Sequence, residues 1–131
     1  MTRSASHAPN TALVSDGFAS LTLIYGAVAT TPVLREVGGT TLLNIDVRSK
    51  SVAGQAASVS VVWAPGGDAP AVSEGDLVLV VGFTRRRFFR SGGVTVSRTE
   101  VDATSLVVNP DRRKRRRVVE GCSTALERLS G

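Results

Sequence analysis

The stretch from Glu74 to Arg98 constrains this chain more than any other part of it. Leu77–Phe83 is apolar at odd and even positions alike, which marks a central strand covered on both faces. It runs without a break into Thr84-Arg85-Arg86-Arg87-Phe88-Phe89-Arg90, then Ser91-Gly92-Gly93, then Val94–Arg98. Two extended arms around a Ser-Gly-Gly turn read as one long β-hairpin. A strand apolar at one end and crowded with arginine at the other cannot lie wholly in a core. The remaining chain must therefore supply a sheet from which this hairpin grows.

Period-two patterning supplies it. From Phe18 onward, Leu21, Leu23, Tyr25 and Ala27 share one parity against Ser20, Thr22 and Gly26, which predicts a first strand. Gly26 within it predicts a bulge or a close backbone approach. Pro32 breaks the ladder, and Gly38-Gly39 turns the chain into a second strand. There Leu43, Ile45 and Val47 alternate with Asn44, Asp46 and Arg48. A connector over Ser49–Ala57 leads to a third strand, with Val59, Val61 and Trp63 opposite Ser58, Ser60, Val62 and Ala64. Ala64-Pro65-Gly66-Gly67 ends it, and the hairpin provides the fourth and fifth strands. Val94 and Val96 fall on even positions but Val101 and Ala103 on odd ones, a phase change that predicts a bulge near Ser97–Glu100. The last strand ends at Leu106–Val108, and Pro110 closes the domain.

Three segments follow: a loose polar lead at 1–17, a β domain at 18–108 and a basic tail at 109–131. In the tail, Val118, Cys122, Ala125 and Leu129 have helical spacing, which Gly121 weakens. That predicts a helix formed in part, only on a partner, or not at all.

Charge sharpens the division. Sixteen Lys and Arg against eleven Asp and Glu give +5, with a sequence pI near 10.6. Residues 1–108 hold nine basic and eight acidic groups, whereas 109–131 hold seven and three. The domain is nearly neutral, so the basic character sits in the hairpin and the tail, a pattern that suits a polyanionic partner. Several classes are excluded. The lone Cys122 forms no internal disulfide, and the one histidine, His7, lies in the polar lead. No Cys/His or carboxylate cluster is spaced to hold a metal, so neither an enzyme nor a cofactor is expected. No apolar run approaches the ~20 residues of a membrane helix, and residues 1–17 lack a signal-peptide core, so a cytoplasmic protein is expected.

Five strands with a long basic hairpin between the fourth and fifth suggest an OB-fold, and the residues narrow the match. Leu23-Ile24-Tyr25-Gly26, then Thr31-Pro32-Val33-Leu34-Arg35, then a Gly-Gly turn resembles the first motif of bacterial single-stranded DNA-binding proteins. In that family a strand ending in Gly leads to an Asp-Pro-Glu-Leu-Arg-like turn. Leu43–Arg48 and Val61-Val62 look like its second and third strands. Glu74-Gly75-Asp76-Leu77 through Gly82 resembles its Lys-Gly-x-x-Val-x-Val-x-Gly fourth strand. Gly92-Gly93, Thr99-Glu100-Val101 and Leu106-Val107 complete the order over about residues 18–108. The resemblance implies an all-β, five-stranded Greek-key OB barrel, assembled as a homodimer or homotetramer, that binds single-stranded DNA (or RNA) without sequence preference. It implies service in replication, recombination or repair, near the nucleoid.

Strand binding needs cations that track phosphates and flat groups on which bases stack. Residues 83–98 contain five arginines (Arg85, Arg86, Arg87, Arg90, Arg98), no acidic group, and Phe88 with Phe89. Phe89 falls where the family places a stacking aromatic. Strand parity turns one of two adjacent phenylalanines inward, so one exposed ring is expected, with Phe89 favoured. Arg35, Arg48 and Lys50 are candidates to extend the groove. Arg112, Arg113, Lys114, Arg115, Arg116 and Arg117 are candidates for a phosphate clamp, the alternative being a solvated charge run. Two departures stand out. The third strand's outward parity shows no aromatic, with Trp63 on the core side, and the tail offers no acidic tip to recruit replication proteins. The competing expectation is an OB module of the replication-restart type whose main partner is another protein.

Overall fold

A computed structural model describes residues 20–64 and 71–130 of the chain. The lead at 1–17 with His7, the strand start at Phe18 and the Pro65–Gly67 turn lie outside the described residues. Two compact units result, Thr22–Asp111 and one holding the C-terminal helix. The first contains β1 (Thr22–Val28), β2 (Val33–Val37), β3 (Thr40–Lys50), β4 (Ala56–Trp63), β5 (Leu77–Ser91) and β6 (Val94–Val108); the helix is α1 (Arg112–Ser130).

Hydrogen bonding runs β1-β5-β6-β4-β3, and β1 pairs back onto β3 through Ala27↔Arg48 and Val28↔Val47. Five strands thereby close into a ring, the expected all-β barrel. Every pairing is antiparallel except β4 with β6. Val47, Val61, Val78 and Val80 are fully buried, with Ile24, Leu43, Ile45 and Val101 around them, so β3 and β4 turn inward the parity read from the sequence. β1 does not: the ring buries Ile24 and Val28 and leaves Leu23 and Tyr25, on the parity that patterning marked as apolar, half-exposed. Each such side chain contributes about 1.5–3 kcal/mol when covered. Trp63 packs against this core, half-buried.

One strand was not foreseen. β2 lies outside the ring, paired to the first half of β3 from Val33↔Asn44 to Val37↔Thr40. Pro32 does not end a ladder but precedes one, as a proline can at the start of an edge strand. All five β2 residues are exposed, so no burial alternation marked it. Gly38 and Gly39, at φ 57° and 83°, form the two-residue turn that fixes its register.

Close approach at Gly26 holds as predicted, and it makes the ring possible. A Cβ there would sit 2.3 Å from the backbone oxygen of Arg48, at the β1–β3 seam. The bulge lies elsewhere than expected. The β5–β6 register is unbroken from Phe83↔Asp102 to Ser91↔Val94, and the irregularity falls at Val81/Gly82, opposite Ser105 and Ala103. Thr104 is the extra residue, and its Oγ1 donates to Val81 O at 3.1 Å. The phase change at Val94–Val101 instead marks where the ribbon leaves the barrel: Val101 is core, while Val94 is exposed.

The base of the ribbon is tied down at the opposite end. Asn109 adopts φ 48°, its N donates to Leu77 O at 2.6 Å, and its Oδ1 accepts from Leu77 N at 2.9 Å. The start of β5 is thus fixed to the end of β6, which holds the two arms in register for their whole length.

In the second unit, α1 is continuous from Arg112 to Ser130, so Gly121 does not interrupt it. Val118, Cys122 and Ala125 form its half-buried stripe, as their spacing predicts. Partial burial pushes the Cys122 thiol up from its ordinary pKa. No described helix is long and apolar enough to cross a membrane.

Candidate nucleic-acid interface

Every β5 residue from Phe83 to Ser91 is exposed, and beyond Arg85↔Glu100, where β6 ceases to pair with β4, the β5–β6 ribbon stands clear of the barrel. At ~3.4 Å per residue the free part of this finger, Arg86–Ser91, is about 20 Å long. Gly92 and Gly93, at φ 61° and 83°, close its tip in a two-residue turn. Because a free ribbon has no inside, its two faces differ only by parity. Phe83, Arg85, Arg87 and Phe89 of β5 share one face with Val96, Arg98, Glu100 and Asp102 of β6. Arg86, Phe88 and Arg90 share the other with Thr95, Ser97 and Thr99.

The first face forms one wall of an open groove. Its floor and far wall come from the outward residues of β4, β3 and β2: Val62 and Ala64, Leu42 and Asn44, then Val33, Arg35 and Val37. Arg35 Nε donates to Asn44 Oδ1 at 3.0 Å, which holds that guanidinium over β3. Phe83 and Phe89 are each 42% exposed, so both rings offer an open surface. Arg98 lies over the Phe89 ring with its Cζ 5.5 Å from the centroid, and Arg85 lies over Phe83 at 5.9 Å. Such cation–π contacts contribute about 0.5–1 kcal/mol at exposed sites and orient both partners.

Two carboxylates enter the same groove. Asp102 Oδ2 lies 2.7 Å from Arg85 Nε, and Glu100 Oε1 accepts from Arg87 Nε. The absence of acid between 83 and 98 is therefore offset by the next turns of β6, which the register brings alongside Arg85 and Arg87. The opposite face carries no carboxylate. There Arg86 Nη1 donates to Ser97 Oγ at 3.1 Å, and Arg90 Nη2 donates to Gly93 O at 3.2 Å.

The predicted residues thus separate into groups. Arg35, Arg85, Arg87, Phe89 and Arg98 line the groove. Arg86, Phe88 and Arg90 lie on the back of the finger. The inward turn expected of one phenylalanine does not occur: Phe88 is 66% exposed, because the ribbon has already left the core. Arg48 and Lys50 are exposed farther along β3 and do not line the groove. Val62, read as outward, is only 5% exposed, since the groove walls cover it. On α1, Arg112, Arg113, Lys114, Arg115, Arg116 and Arg117 occupy the first two turns with no acidic residue in the first. Six cations at the positive end of a helix dipole cost stability that a nearby anion relieves. Among the described residues, no group of three His, Cys, Asp or Glu side chains could hold a metal ion.

No protein-family model matches this sequence, and no curated protein matches it. Solved structures do. The Plasmodium falciparum SSB complex with ssDNA superposes at a TM-score of 0.55 with 13% identity, over 69% of this chain and 94% of that one. The dimeric N-terminal domain of PriB from Thermoanaerobacter tencongensis superposes at 0.50 with 16% identity, over 70% and 97%. The barrel is an OB-fold. In OB-folds oligonucleotides bind the face of the second and third barrel strands and the loops beside it, which here are β3, β4, the β2 hairpin and the finger.

Phe83, Glu100 and Asp102 were missed from sequence. Phe83 read as the end of the central apolar strand, yet its odd parity with Arg85, Arg87 and Phe89 places it on their face. Glu100 and Asp102 needed the cross-strand register, which only the position of the tip turn reveals.

Proposed function

We propose that this protein is a divergent member of the bacterial single-stranded DNA-binding family and holds unpaired strands stoichiometrically, without sequence preference and without catalysis. The carrying observation is the groove face of the finger, where two half-exposed rings flank two arginines along one strand. Bases have π-faces whatever their identity, so such a surface binds them without reading sequence. The back face adds Arg86, Phe88 and Arg90, and the basic start of α1 adds further phosphate contacts. Arg48 and Lys50 extend the positive surface along β3. The likeness to an SSB solved with ssDNA supports the same reading. Titrating labelled oligo-dT and a matched duplex across a salt series tests it. Equal affinity for both, indifferent to Phe88→Ala with Phe89→Ala, would overturn it.

Division of labour between the faces makes a further expectation. Arg86→Ala with Arg90→Ala removes two cations that no carboxylate offsets. The log–log salt slope for oligo-dT should flatten by about 1.4, at ~0.7 per phosphate contact. An unchanged slope would remove the back face from the interface.

Within this reading the protein acts in the cytoplasm on the nucleoid, in replication, recombination or repair, as a homodimer or homotetramer. Half-exposed Leu23, Tyr25 and Leu77 offer apolar surface for self-association, which light scattering measures. A second reading has its own support. Internal pairing of Arg85 and Arg87, together with likeness to a PriB domain, suits an assembly module whose main partner is a protein. A pulldown that survives nuclease while strand binding stays weak would favour it.

A further inference from the structure

Glu100 and Asp102 are the feature of the groove that strand binding does not require. Carboxylates repel phosphate, and a face built only to attract a polyanion would carry neither. Yet both lie on the groove face, with side chains only 7% and 17% exposed. Asp102 Oδ1 is buried without a hydrogen-bond partner, whereas buried groups kept for folding are normally satisfied.

We propose that Glu100 and Asp102 set the preference of this groove for unpaired over paired strands, an inference that rests on the strand-binding reading above. Each carboxylate occupies the Nε edge of one arginine, and Asp102 Oδ1 lies a further 3.8 Å from Arg87 Nη2. The arginine side chains meanwhile remain 48% and 43% exposed. A guanidinium donates its hydrogen bonds in its own plane. A carboxylate in that plane takes the edge that a phosphate would use, and leaves the flat face open for stacking. Phe83, Arg85, Arg87 and Phe89, at alternate positions of β5, then form one row of flat groups whose two central charges are neutralised.

Paired and unpaired strands meet such a row differently. A duplex presents its phosphates outward and keeps its base faces stacked inside, so most of its attraction to a protein surface is electrostatic. Neutralised arginines withdraw that attraction. A single strand can lay its bases on the rings and guanidinium faces, and that contact survives neutralisation. The acids therefore lower duplex binding more than single-strand binding.

The test uses the full chain, labelled oligo-dT and a matched duplex, read by anisotropy across a salt series, with circular dichroism to check folding. Glu100→Gln with Asp102→Asn releases two cations at nearly constant shape. The duplex salt slope should steepen by about 1.8, at ~0.9 per phosphate, and low-salt duplex affinity should rise on the order of tenfold. Oligo-dT affinity should rise less, so the ratio of single to double strand falls. A ratio that stays constant or rises overturns the proposal. Arg85→Lys with Arg87→Lys keeps the charges and removes the flat faces. Oligo-dT affinity should then fall several-fold with its salt slope unchanged, and this variant decides alone if the amide variant does not fold. An equal fall on duplex, or a flattened slope, overturns the proposal. Wild-type protein that ignores oligo-dT at every salt overturns the strand-binding reading itself; wild-type binding with an unaltered ratio overturns only the role of the acids.

Discussion

Phe83→Ala with Phe89→Ala should weaken binding of oligo-dT by at least ~30-fold at fixed salt, from two stacking contacts of ~1–3 kcal/mol each and ~1.4 kcal/mol per tenfold. Both rings are half-exposed on the groove face, and both sit beneath an arginine, Arg85 over Phe83 and Arg98 over Phe89. Loss of a ring therefore removes one base platform and loosens the cation that lies on it. Neither residue belongs to the buried core, so the double variant should unfold close to the wild-type midpoint. Duplex binding should hardly change, because a duplex offers no base face to stack. Phe88→Ala alone should cost less, since Phe88 stands on the other side of the finger with Arg86 and Arg90. Anisotropy titrations of the three variants at one salt concentration measure all of this. A double variant that binds oligo-dT within threefold of wild type would show that stacking on the groove face is not the source of affinity.

The contrast between Phe83 and Phe88 also shows what the sequence could and could not convey. Inward and outward positions were legible along β3, where Leu43, Ile45 and Val47 alternate with Asn44, Asp46 and Arg48 and the barrel buries them as patterned; along β1, apolar on both parities, they were not, and Ile24 and Val28 are buried in place of Leu23 and Tyr25. Parity keeps its meaning past Arg85, but burial does not, because both faces of the free finger meet solvent. An inward turn for one phenylalanine assumed a core that ends about six residues earlier. β2 was hidden for a related reason, since an edge strand exposed along its whole length leaves no alternation to read. The cluster of Arg85, Arg87, Glu100 and Asp102 was hidden for another. Its partners are thirteen to seventeen residues apart, and only register brings them together. The bulge shows the limit most plainly: a change of phase was visible in the pattern, but the extra residue is Thr104, set by the contact at Gly82 and not by the valines around it.

Gly82→Ala should be the most destabilising single methyl that the chain can acquire near the groove. A Cβ at this position would lie 2.1 Å from the backbone oxygen of Asp102 and 2.8 Å from the Cα of Ala103. Backbone cannot rotate away as a side chain can, so β5 and β6 must part where the ladder already skips a residue. Overpacking of this kind costs about 1–3 kcal/mol or more, and about 4–8 °C in Tm per kcal/mol for a domain of this size. Thermal and urea unfolding measure it. Gly26→Ala provides the comparison, because its Cβ would meet the backbone oxygen of Arg48 at 2.3 Å across the β1–β3 seam, away from the groove. Both variants should lose stability to a similar degree. Binding should separate them in the cold, where each remains folded. Phe83, a stacking ring of the groove face, is the next residue of β5 and moves with that backbone, so Gly82→Ala should also lose oligo-dT affinity. Gly26→Ala should retain it. Equal affinities in the two folded variants would mean that the finger tolerates displacement at its root, and that its row of flat groups need not be held in place by the barrel.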